Sequence, residues 1–379
     1  MSAILKTCLP AGRKIDAVLL GTTGVLLIFG ILMLANISAS FSQEKFGTTY
    51  YLLNHQLMNI LIGLALGFLA FKINLDFLKK CLPFLLFGNL VLMLMVFLPV
   101  IGISAGGATR WLDLGFISLQ PSEFLKLTFI LYLASWLDTR TSYKNKLAKG
   151  ERDKNFGQTF LAFLMVLGII GIFLFLQPDI STFVIILLVA MILYFVAQPP
   201  FWHIAILFLT GAGVLALLGS TASYRMKRIL VFLKPETDPM GIGYQIKQAL
   251  IAVGSGGIFG LGLGMSRQKF GFLPASMTDS MFAVLAEETG FVGCFILIAL
   301  FLTFLWRGFR IGKNSRDNFL KFTAFGIASW ILVQTLINIS SMIGLLPLAG
   351  IPLPFFSYGG SAMITELIGV GILLNISRR

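Results

Sequence analysis

The stretch Phe272-Leu-Pro-Ala-Ser-Met-Thr-Asp-Ser-Met-Phe-Ala-Val-Leu-Ala-Glu-Glu288 joins a polar segment to an apolar run that continues to about Trp306. Apolar runs of about 17–25 residues can cross the hydrocarbon core of a bilayer as helices. Such runs recur along all 379 residues, of which 57% are hydrophobic and only 12% are charged. A soluble fold would need more surface charge, and a membrane barrel would show alternation in segments of ~10 residues. The sequence therefore predicts an all-α polytopic membrane protein.

The apolar runs predict about ten transmembrane helices in a single integral membrane domain that covers residues 1–379. The first run is too long for the core of a signal peptide and lacks a cleavage pattern of small residues, so we expect it to be retained. The predicted spans are 15–37, 51–71, 81–101, 120–137, 158–176, 180–197, 202–220, 281–306, 319–340 and 357–377.

The formal net charge of +13 could indicate a nucleic-acid partner, but its distribution has a simpler explanation. If the N-terminus lies inside, most of the 29 Lys and Arg residues fall in loops on the inner side. Because short inner loops are enriched in Lys and Arg, we predict that both termini are cytoplasmic and that no nucleic acid binds. The exception is residues 221–280, predicted to be one long extracytoplasmic loop before the eighth helix.

The residues that most often bind metals or form disulfides are few and scattered. The three cysteines, Cys8, Cys81 and Cys294, are odd in number and widely spaced, and His55 and His203 show no ligand spacing. A glycine-rich run at 254–264 matches a dinucleotide fingerprint only weakly, since no strand precedes it. We therefore predict no disulfide framework and no organic cofactor.

Asp279 lies where the polar segment meets the apolar run that begins at Met281. A carboxylate at the mouth of a membrane helix, beside a basic loop, is well placed for chemistry on an anionic substrate. The alternative is structural, because Thr278-Asp-Ser280 before an apolar run is also a good N-cap sequence. The two roles are compatible.

Two other span ends and one outer loop carry polar candidates. Glu123 and Lys126 are three residues apart, so they share a helix face and can pair. Such charges usually face a cavity or the bundle interior, although a purely structural ion pair remains an alternative. Asp179 follows Pro178 and can cap the next helix, and Arg110 can face lipid headgroups from its outer loop.

The long loop contains two amphipathic stretches and a glycine-rich run. Arg225 and Arg228 share a helix face with apolar residues between them, which is typical of a segment in the membrane interface. A second short amphipathic stretch covers residues 241–254. The glycines that follow allow backbone to approach a ligand or a neighbouring helix closely. Arg267 and Lys269 then add two cations just before Asp279.

Residues 341–356 are apolar but interrupted by Pro347, Pro352 and Pro354, which indicates a re-entrant loop. Such irregular backbone is tolerated at membrane depth only against protein or a water-filled cavity. The run Ser357–Ser361 leads from this loop into the last predicted span. Glu366 lies deeper in that span, so we expect it to face inward or find a partner.

These motifs together resemble the SEDS family, which includes FtsW, RodA and SpoVE, over nearly the full length. Two features, Ser266-Arg-Gln-Lys269 and the closing Gly-Val-Gly-Ile-Leu-Leu-Asn-Ile-Ser, look more like the FtsW branch. The motifs that carry the resemblance are Gly106-Gly-Ala-Thr-Arg-Trp-Leu-Asp-Leu-Gly115, Gln120-Pro-Ser-Glu-Phe-Leu-Lys126, Gln177-Pro-Asp179, Gly241-Ile-Gly-Tyr-Gln245 through Gly264, Ser266-Arg-Gln-Lys-Phe-Gly-Phe-Leu-Pro274, Thr278-Asp279, Phe282-Ala-Val-Leu-Ala-Glu-Glu288 and Pro352-Leu-Pro-Phe-Phe-Ser-Tyr-Gly-Gly-Ser361.

The resemblance implies a ten-span fold in the bacterial cytoplasmic membrane and peptidoglycan glycosyltransferase activity on lipid II. It implies a class B penicillin-binding protein as partner, Asp279 as the catalytic aspartate, and Glu123 with Lys126 as an important membrane pair. The chain departs from the family at Ala275, Met277 and Ser280, where Glu, His and Phe are common, so any assistance from that Glu or His is absent. The candidate substrate-binding residues are Arg110, Glu123, Lys126, Asp179, Arg225, Arg228, Arg267, Lys269 and Ser357.

The residues fit this chemistry. A carboxylate at Asp279 can accept the proton of a sugar hydroxyl as a general base. The loop cations between 225 and 269, with Mg²⁺ or another divalent cation as a candidate cofactor, can stabilise a departing pyrophosphate. Displacement at an α-linked donor would invert it to a β-linked glycan. Two other functions remain open: a lipid II flippase, or a scaffold that only positions a penicillin-binding protein.

Overall fold

The computed structural model describes residues 15–378 except 99–100, 106–107, 114, 116–117, 145–148, 199–201, 204, 210, 212 and 214–222. Within these ranges the chain is mostly helical, with a small sheet and one 3-10 turn at Pro235–Thr237. The elements are α1 (Ala17–Phe46), α2 (Tyr51–Lys72), α3 (Leu75–Met95), β1 (Gly102–Ala105), β2 (Ala108–Asp113), β3 (Ser118–Leu119), α4 (Pro121–Lys144), α5 (Lys149–Leu176), α6 (Ile180–Val196), α7 (Ser223–Leu233), α8 (Ile242–Ser255), α9 (Met281–Asn314), α10 (Asn318–Met342) and α11 (Gly360–Ser377).

Seven helical segments in the described ranges are long and apolar enough to cross a membrane. The helix α6 is also apolar but shorter, and the described residues between 202 and 213 are helical. The prediction of a multi-pass helical membrane protein is therefore confirmed. The seven segments are Ala17–Phe46, Tyr51–Lys72, Leu75–Met95, Thr159–Leu176, Met281–Asn314, Asn318–Met342 and Gly360–Ser377.

Two predicted loops are more ordered than the sequence suggested. Residues 138–157 lie between two predicted spans, but the structure continues α4 to Lys144 and begins α5 at Lys149. Hydropathy marks where a helix leaves the bilayer, whereas Lys, Arg and Glu keep good helix propensity beyond that point. The described residues between 102 and 119 include β1, β2 and β3, which form a three-stranded antiparallel sheet in which Gly102 pairs with Leu112 and Leu112 with Leu119. The all-α prediction therefore misses this small sheet.

The helices α10 and α11 are the most buried spans and form the centre of the bundle. The helix α2 packs against α11 at very short range, because glycines face each other there. A Cβ added to Gly371 would lie only 2.0 Å from the Gly67 carbonyl oxygen. Small residues allow this close approach in membrane bundles, where helices gain little from the hydrophobic effect.

The glycine-rich run beyond α8 packs against a kink in α9. Gly290 has φ of 64°, and the following amide of Phe291 donates to the Gly257 carbonyl at 2.9 Å. In return, the amide of Leu261 donates to the Glu287 carbonyl at 3.0 Å. A Cβ on Gly260 would lie 2.2 Å from the Glu288 carbonyl oxygen. The sequence predicted that these glycines let the backbone approach either a ligand or a neighbouring helix, and the structure shows the approach to a helix.

The irregular segment between α10 and α11 is buried, as its apolar, proline-broken sequence predicted. Ile351, Leu353 and Phe355 are all nearly inaccessible to solvent. Its carbonyls are satisfied from α10: Gln334 Nε2 donates to Pro352 at 3.0 Å, and Asn338 Nδ2 donates to Ile351 at 2.8 Å. The segment is thus held against protein, which is where non-helical backbone can be accommodated.

Candidate active site

A cavity of about 360 Å³ lies beside the start of α9. Six parts of the chain contribute to its wall: α2, the small sheet, the start of α4, the turn before α9, the segment before α11 and the first turn of α11. The polar groups that line it include His55, Glu123, Thr278, Asp279 and Tyr358. The sequence-predicted residues Asp279 and Glu123 are therefore brought together around one space.

The Asp279 carboxyl is half-buried in the wall of this cavity. Thr278 Oγ1 donates to its Oδ1 at 3.1 Å, and Gln245 Nε2 lies 3.5 Å from its Oδ2. The alternative role as an N-cap is not found: Ser280 is the N-cap of α9, and no side chain makes a capping hydrogen bond there. The carboxylate is thus free of the helix end and exposed to the cavity.

Burial raises the pKa of the Asp279 carboxyl above its usual range. Hydrogen bonds from Thr278 and Gln245 and the positive charge of Arg228 act in the opposite direction, since each favours the ionised form. Desolvation is the largest of these effects. The result is a carboxyl that holds its proton to a higher pH than an exposed aspartate does.

A turn fixes the position of Asp279. Ala275 has φ of 53°, and its carbonyl accepts the amides of Thr278 at 3.1 Å and Ser280 at 3.2 Å. Asn338 Nδ2 on α10 donates to the Asp279 carbonyl at 2.8 Å. The backbone is therefore held by a local turn and by α10, while the side chain remains part of the cavity lining.

The amphipathic predictions for the long loop are confirmed as helices α7 and α8. Gln245 on α8 donates to Ser280 Oγ at 3.0 Å, which ties α8 to the turn that carries Asp279. Arg228 on α7 donates from Nη1 to the Leu348 carbonyl at 3.2 Å. Arg225 lies in α7, but its side chain is outside the described part of the structure.

Lys269 is placed differently from the other loop cations. It is buried, and its Nζ donates to Asn36 Oδ1 at 2.7 Å and to the Gly264 carbonyl at 2.6 Å. Its Nζ also lies 3.4 Å from Glu288 Oε1, in a buried ion pair. Arg267, by contrast, has an exposed side chain. Lys269 therefore stabilises the loop, whereas Arg267 is accessible.

The predicted Glu123–Lys126 pair is confirmed, with 2.8 Å between Glu123 Oε2 and Lys126 Nζ. Lys126 is only 1% exposed, and its Nζ also donates to Gln334 Oε1 at 2.8 Å. Gln334 in turn approaches Glu366, which accepts the Phe355 amide at 2.8 Å. The network thus connects the cavity wall at Glu123 with the buried segment before α11, and Glu366 faces inward as expected.

His55 and Tyr358 are cavity residues that sequence reasoning did not select. Tyr358 Oη lies 3.0 Å from His55 Nδ1, and Asn59 Nδ2 lies 3.2 Å from the same nitrogen. Nearby, Ser361 Oγ accepts the Gln120 amide at 2.9 Å. The run Ser357–Ser361 indicated the region, but no spacing signal pointed to a histidine about 300 residues away in sequence.

Three other sequence-predicted residues make structural contacts outside the lining of this cavity. Asp179 is the N-cap of α6 and accepts hydrogen bonds from Thr182 and from Ser122 Oγ at 2.9 Å, so its capping alternative is confirmed. Arg110 Nε donates to the Gln177 carbonyl at 3.1 Å, and Nη2 donates to Pro178. Ser357 Oγ accepts the Leu353 amide at 3.1 Å. Their roles toward substrate stay predictions.

Among the described residues, no group of three or more His, Cys, Asp or Glu side chains could hold a metal ion on its own. Mg²⁺, however, is often held by one or two carboxylates together with substrate phosphates and water. The donor set that the cavity offers, Asp279 and Glu123, is compatible with that second kind of site.

Similarity to known proteins agrees with the motifs. The family model for the FtsW, RodA and SpoVE cell cycle proteins matches residues 16–379. A probable peptidoglycan glycosyltransferase FtsW from Coxiella burnetii is 38% identical over 365 residues, which are 96% of each chain. Stage V sporulation protein E from Bacillus subtilis is 40% identical over 371 residues, covering 96% of this chain and 97% of that protein.

Solved structures show the same architecture. A chain from a peptidoglycan synthase complex, described as coordinating polymerization and crosslinking, superimposes with a TM-score of 0.73 at 28% identity. That match covers 96% of this chain and 98% of the other. The rod shape determining protein RodA of Thermus thermophilus gives 0.68 at 25% identity, covering 97% and 98% of the two chains. The chain therefore belongs to the FtsW/RodA/SpoVE family of cell cycle proteins.

Proposed function

We propose that this protein is a glycosyltransferase that polymerises lipid II into peptidoglycan strands in the bacterial cytoplasmic membrane, during division or cell-shape maintenance. The observation that carries the proposal is the half-buried Asp279 carboxylate, which lies in the wall of a cavity beside the mouth of a membrane helix. The names of the relatives support the reaction class. The motif that contains Asp279 supports the assignment of the catalytic residue.

In the proposed reaction, the 4-hydroxyl oxygen of the acceptor sugar attacks the anomeric carbon of the donor. The bond from that carbon to the pyrophosphate oxygen breaks, and the lipid pyrophosphate leaves with the bonding electrons. Asp279 accepts the hydroxyl proton as general base. Attack opposite the leaving group inverts the α-linked donor and forms a β-linked glycan.

The raised pKa of Asp279 supports this role. A general base works best when its pKa lies near the operating pH, since it must be ionised before reaction and hold a proton after it. Burial moves the Asp279 pKa upward, toward that range. An ordinary exposed aspartate would be a weaker base.

We assign the pyrophosphate to the basic side of the site. Arg228 is close enough for its charge to favour the ionised form of Asp279, and Arg267 is exposed on the same loop. We include Arg225, which belongs to the same helix as Arg228. If Mg²⁺ or another divalent cation binds here, it would supply further stabilisation of negative charge. Lys269 contributes to this site only indirectly, because its ion pair with Glu288 holds the loop in place.

We propose ten membrane spans with both termini cytoplasmic, and residues 221–280 outside as the loop before the eighth span. Asp279, the small sheet and the segment before α11 line one cavity, so they lie at the same end of the bundle. Asp16 and Ser377, near the two ends of the chain, hydrogen-bond to each other at 3.3 Å and share another end. The charge distribution supports the cytoplasmic assignment of that end.

We propose a class B penicillin-binding protein as the partner. The structural similarity to a chain of a peptidoglycan synthase complex supports a partner that crosslinks the strands this protein makes. Co-purification with a candidate transpeptidase, and polymerisation rates with and without it, would test this assignment.

The decisive experiment for the function uses the purified protein, labelled lipid II and no other polymerase. Glycan strands, resolved by gel electrophoresis and removed by a muramidase, are the expected product. Exchange of lipid II between leaflets without polymer would support the flippase alternative. The buried Glu123–Lys126 ion pair is the observation in favour of that alternative, because charged residues inside the membrane are typical of transporters. Neither product from a folded protein that binds its partner would support a scaffold.

A further inference from the structure

A second cavity, of about 330 Å³, lies at the end of α9 far from Asp279. The start of α1, the last turns of α9 and the end of α11 form its wall. The lining residues that matter chemically are Asp16, Val18, Arg307, Arg310 and Ser377. The cavity is therefore polar at a place where three membrane helices meet.

Asp16 and Arg307 hold this wall together. Arg307 Nε lies 3.0 Å from both carboxylate oxygens of Asp16, and Nη2 forms an ion pair with it. Asp16 also caps α1 by accepting the Leu19 amide at 2.9 Å, and its own amide donates to Ser377 Oγ at 3.3 Å. The charge of Arg307 is thus compensated, and three helix ends are fixed relative to one another.

Arg310 differs from Arg307, since no acidic partner pairs with it in the described ranges. Its guanidinium lies 5.6 Å from the centre of the Trp306 ring, and Trp306 is 56% exposed. Tryptophan is enriched where a membrane protein crosses the boundary between lipid and water. Arg310 therefore places an uncompensated positive charge at headgroup depth, on the edge of a cavity.

The surroundings of the cavity are both basic and apolar. Lys313 and Arg378 are adjacent in sequence to the lining residues Asn314 and Ser377, whereas Asp16 is the one acid among the described residues that line the cavity. Ile15 and Val18 are both more than two-fifths exposed at the same rim. A ligand that fits this combination has an anionic head and an apolar tail.

We infer that this cavity binds the headgroup of an anionic phospholipid, with the phosphate against Arg310 and the acyl chains along the exposed apolar residues of α1 and α9. Basic pockets between membrane helices are a recurring form of lipid recognition. Inner loops of membrane proteins are enriched in Lys and Arg whether or not a ligand binds there. That enrichment applies equally to every exposed cation in these loops, so it does not explain why Arg310 lies at the edge of a cavity.

That difference gives the test. Arg316 is an exposed cation two residues beyond the end of α9 and is not part of the cavity wall. Arg310→Gln and Arg316→Gln remove the same charge from the same side of the protein. Lipid binding is measured by native mass spectrometry of the purified full-length protein with phosphatidylglycerol or phosphatidylcholine, and thermal melting provides a second readout.

We expect phosphatidylglycerol, and not phosphatidylcholine, to bind and raise the melting temperature of the wild-type protein. Arg310→Gln should weaken that binding about fivefold, while Arg316→Gln and Arg310→Lys should leave it nearly unchanged. Equal losses in Arg310→Gln and Arg316→Gln would overturn the site, because they would indicate diffuse attraction. Equal protection by inorganic phosphate at the same concentration would also overturn it, by showing that a free anion suffices.

Discussion

Asp279 and Glu288 lie nine positions apart in sequence, and both are acids beside the start of α9, but their surroundings differ completely. Glu288 is 1% exposed and accepts hydrogen bonds from Asn36 Nδ2 at 2.9 and 2.7 Å, and its Oε1 also pairs with Lys269. Its neighbour Glu287 similarly accepts from Ser266 and from the Arg267 amide. Asp279 is half-buried, has few donors around it and lies in a cavity wall.

The difference shows how to separate a structural acid from a chemical one. An acid whose carboxylate oxygens already accept several hydrogen bonds from the protein has few lone pairs left for a substrate. An acid that is desolvated but sparsely bonded has a raised pKa and free lone pairs, which proton transfer requires. The two kinds of acid should respond in opposite ways to substitution, and the following predictions use that contrast.

The largest effect is expected for Asp279→Asn. The amide keeps the shape of the side chain but cannot accept the acceptor hydroxyl proton, so polymerisation should fall by about 10²–10⁴. Because Asp279 does not cap α9, the variant should still fold and bind lipid II, without loss of thermal stability. Near-normal polymerisation by the folded variant would show that Asp279 is not the general base and that another acid has this role.

Glu288→Ala should instead destabilise the protein. It removes the acceptor of Asn36 and leaves Lys269 buried without its carboxylate, which costs about 3–5 kcal/mol. Activity should fall only in parallel with the folded fraction, as measured by melting and by the rate per folded molecule. The double variant Glu288→Ala/Lys269→Ala should recover part of the loss, and strict additivity of the two single changes would argue against a coupled pair.

The Glu123–Lys126 pair combines features of Glu288 and of Asp279, because it is a buried ion pair and Glu123 also lines the cavity. Glu123→Ala leaves Lys126 with Gln334 and with the face of the Trp330 ring at 5.3 Å, so we expect a loss of about 1.5–3 kcal/mol in stability. The exchange Glu123→Lys/Lys126→Glu should be less damaging if pairing is the main role. If the exchanged protein folds and binds lipid II but is as inactive as Glu123→Ala, the two residues contact substrate individually.

The smallest effect is the pH dependence of stability at Asp279. The folded-state pKa is raised by burial, so the contribution of this group is complete below the unfolded-state pKa and is lost as pH rises through the folded-state pKa. Asp279→Asn should therefore melt slightly above the wild type at neutral pH, and the difference should vanish in acid. Wild-type activity should rise with pH over the same window. A variant that melts below the wild type at pH 7 would contradict the pKa direction.

Much of the architecture follows from local pattern. The membrane spans follow from apolar run length, and the Glu123–Lys126 pair follows from a spacing of three on a helix. Helix α8 and the buried segment before α11 were also predictable from local pattern, the first from its apolar spacing and the second from its prolines. Each of these features depends on residues that lie within a single span or loop, which is the range over which helical periodicity and hydropathy operate.

What only the tertiary structure decided concerns residues far apart in the chain. Asp179 and Asp279 both precede an apolar helix in the sequence, but Asp179 caps its helix whereas Asp279 lines a cavity. Lys269 was predicted to bind substrate, but its side chain contacts Asn36 and Glu288. The contact between His55 and Tyr358 depends on the close packing of α2 against α11. Whether an acid or a cation is already paired depends on which helices meet around it, and that packing leaves no periodic signal along the sequence.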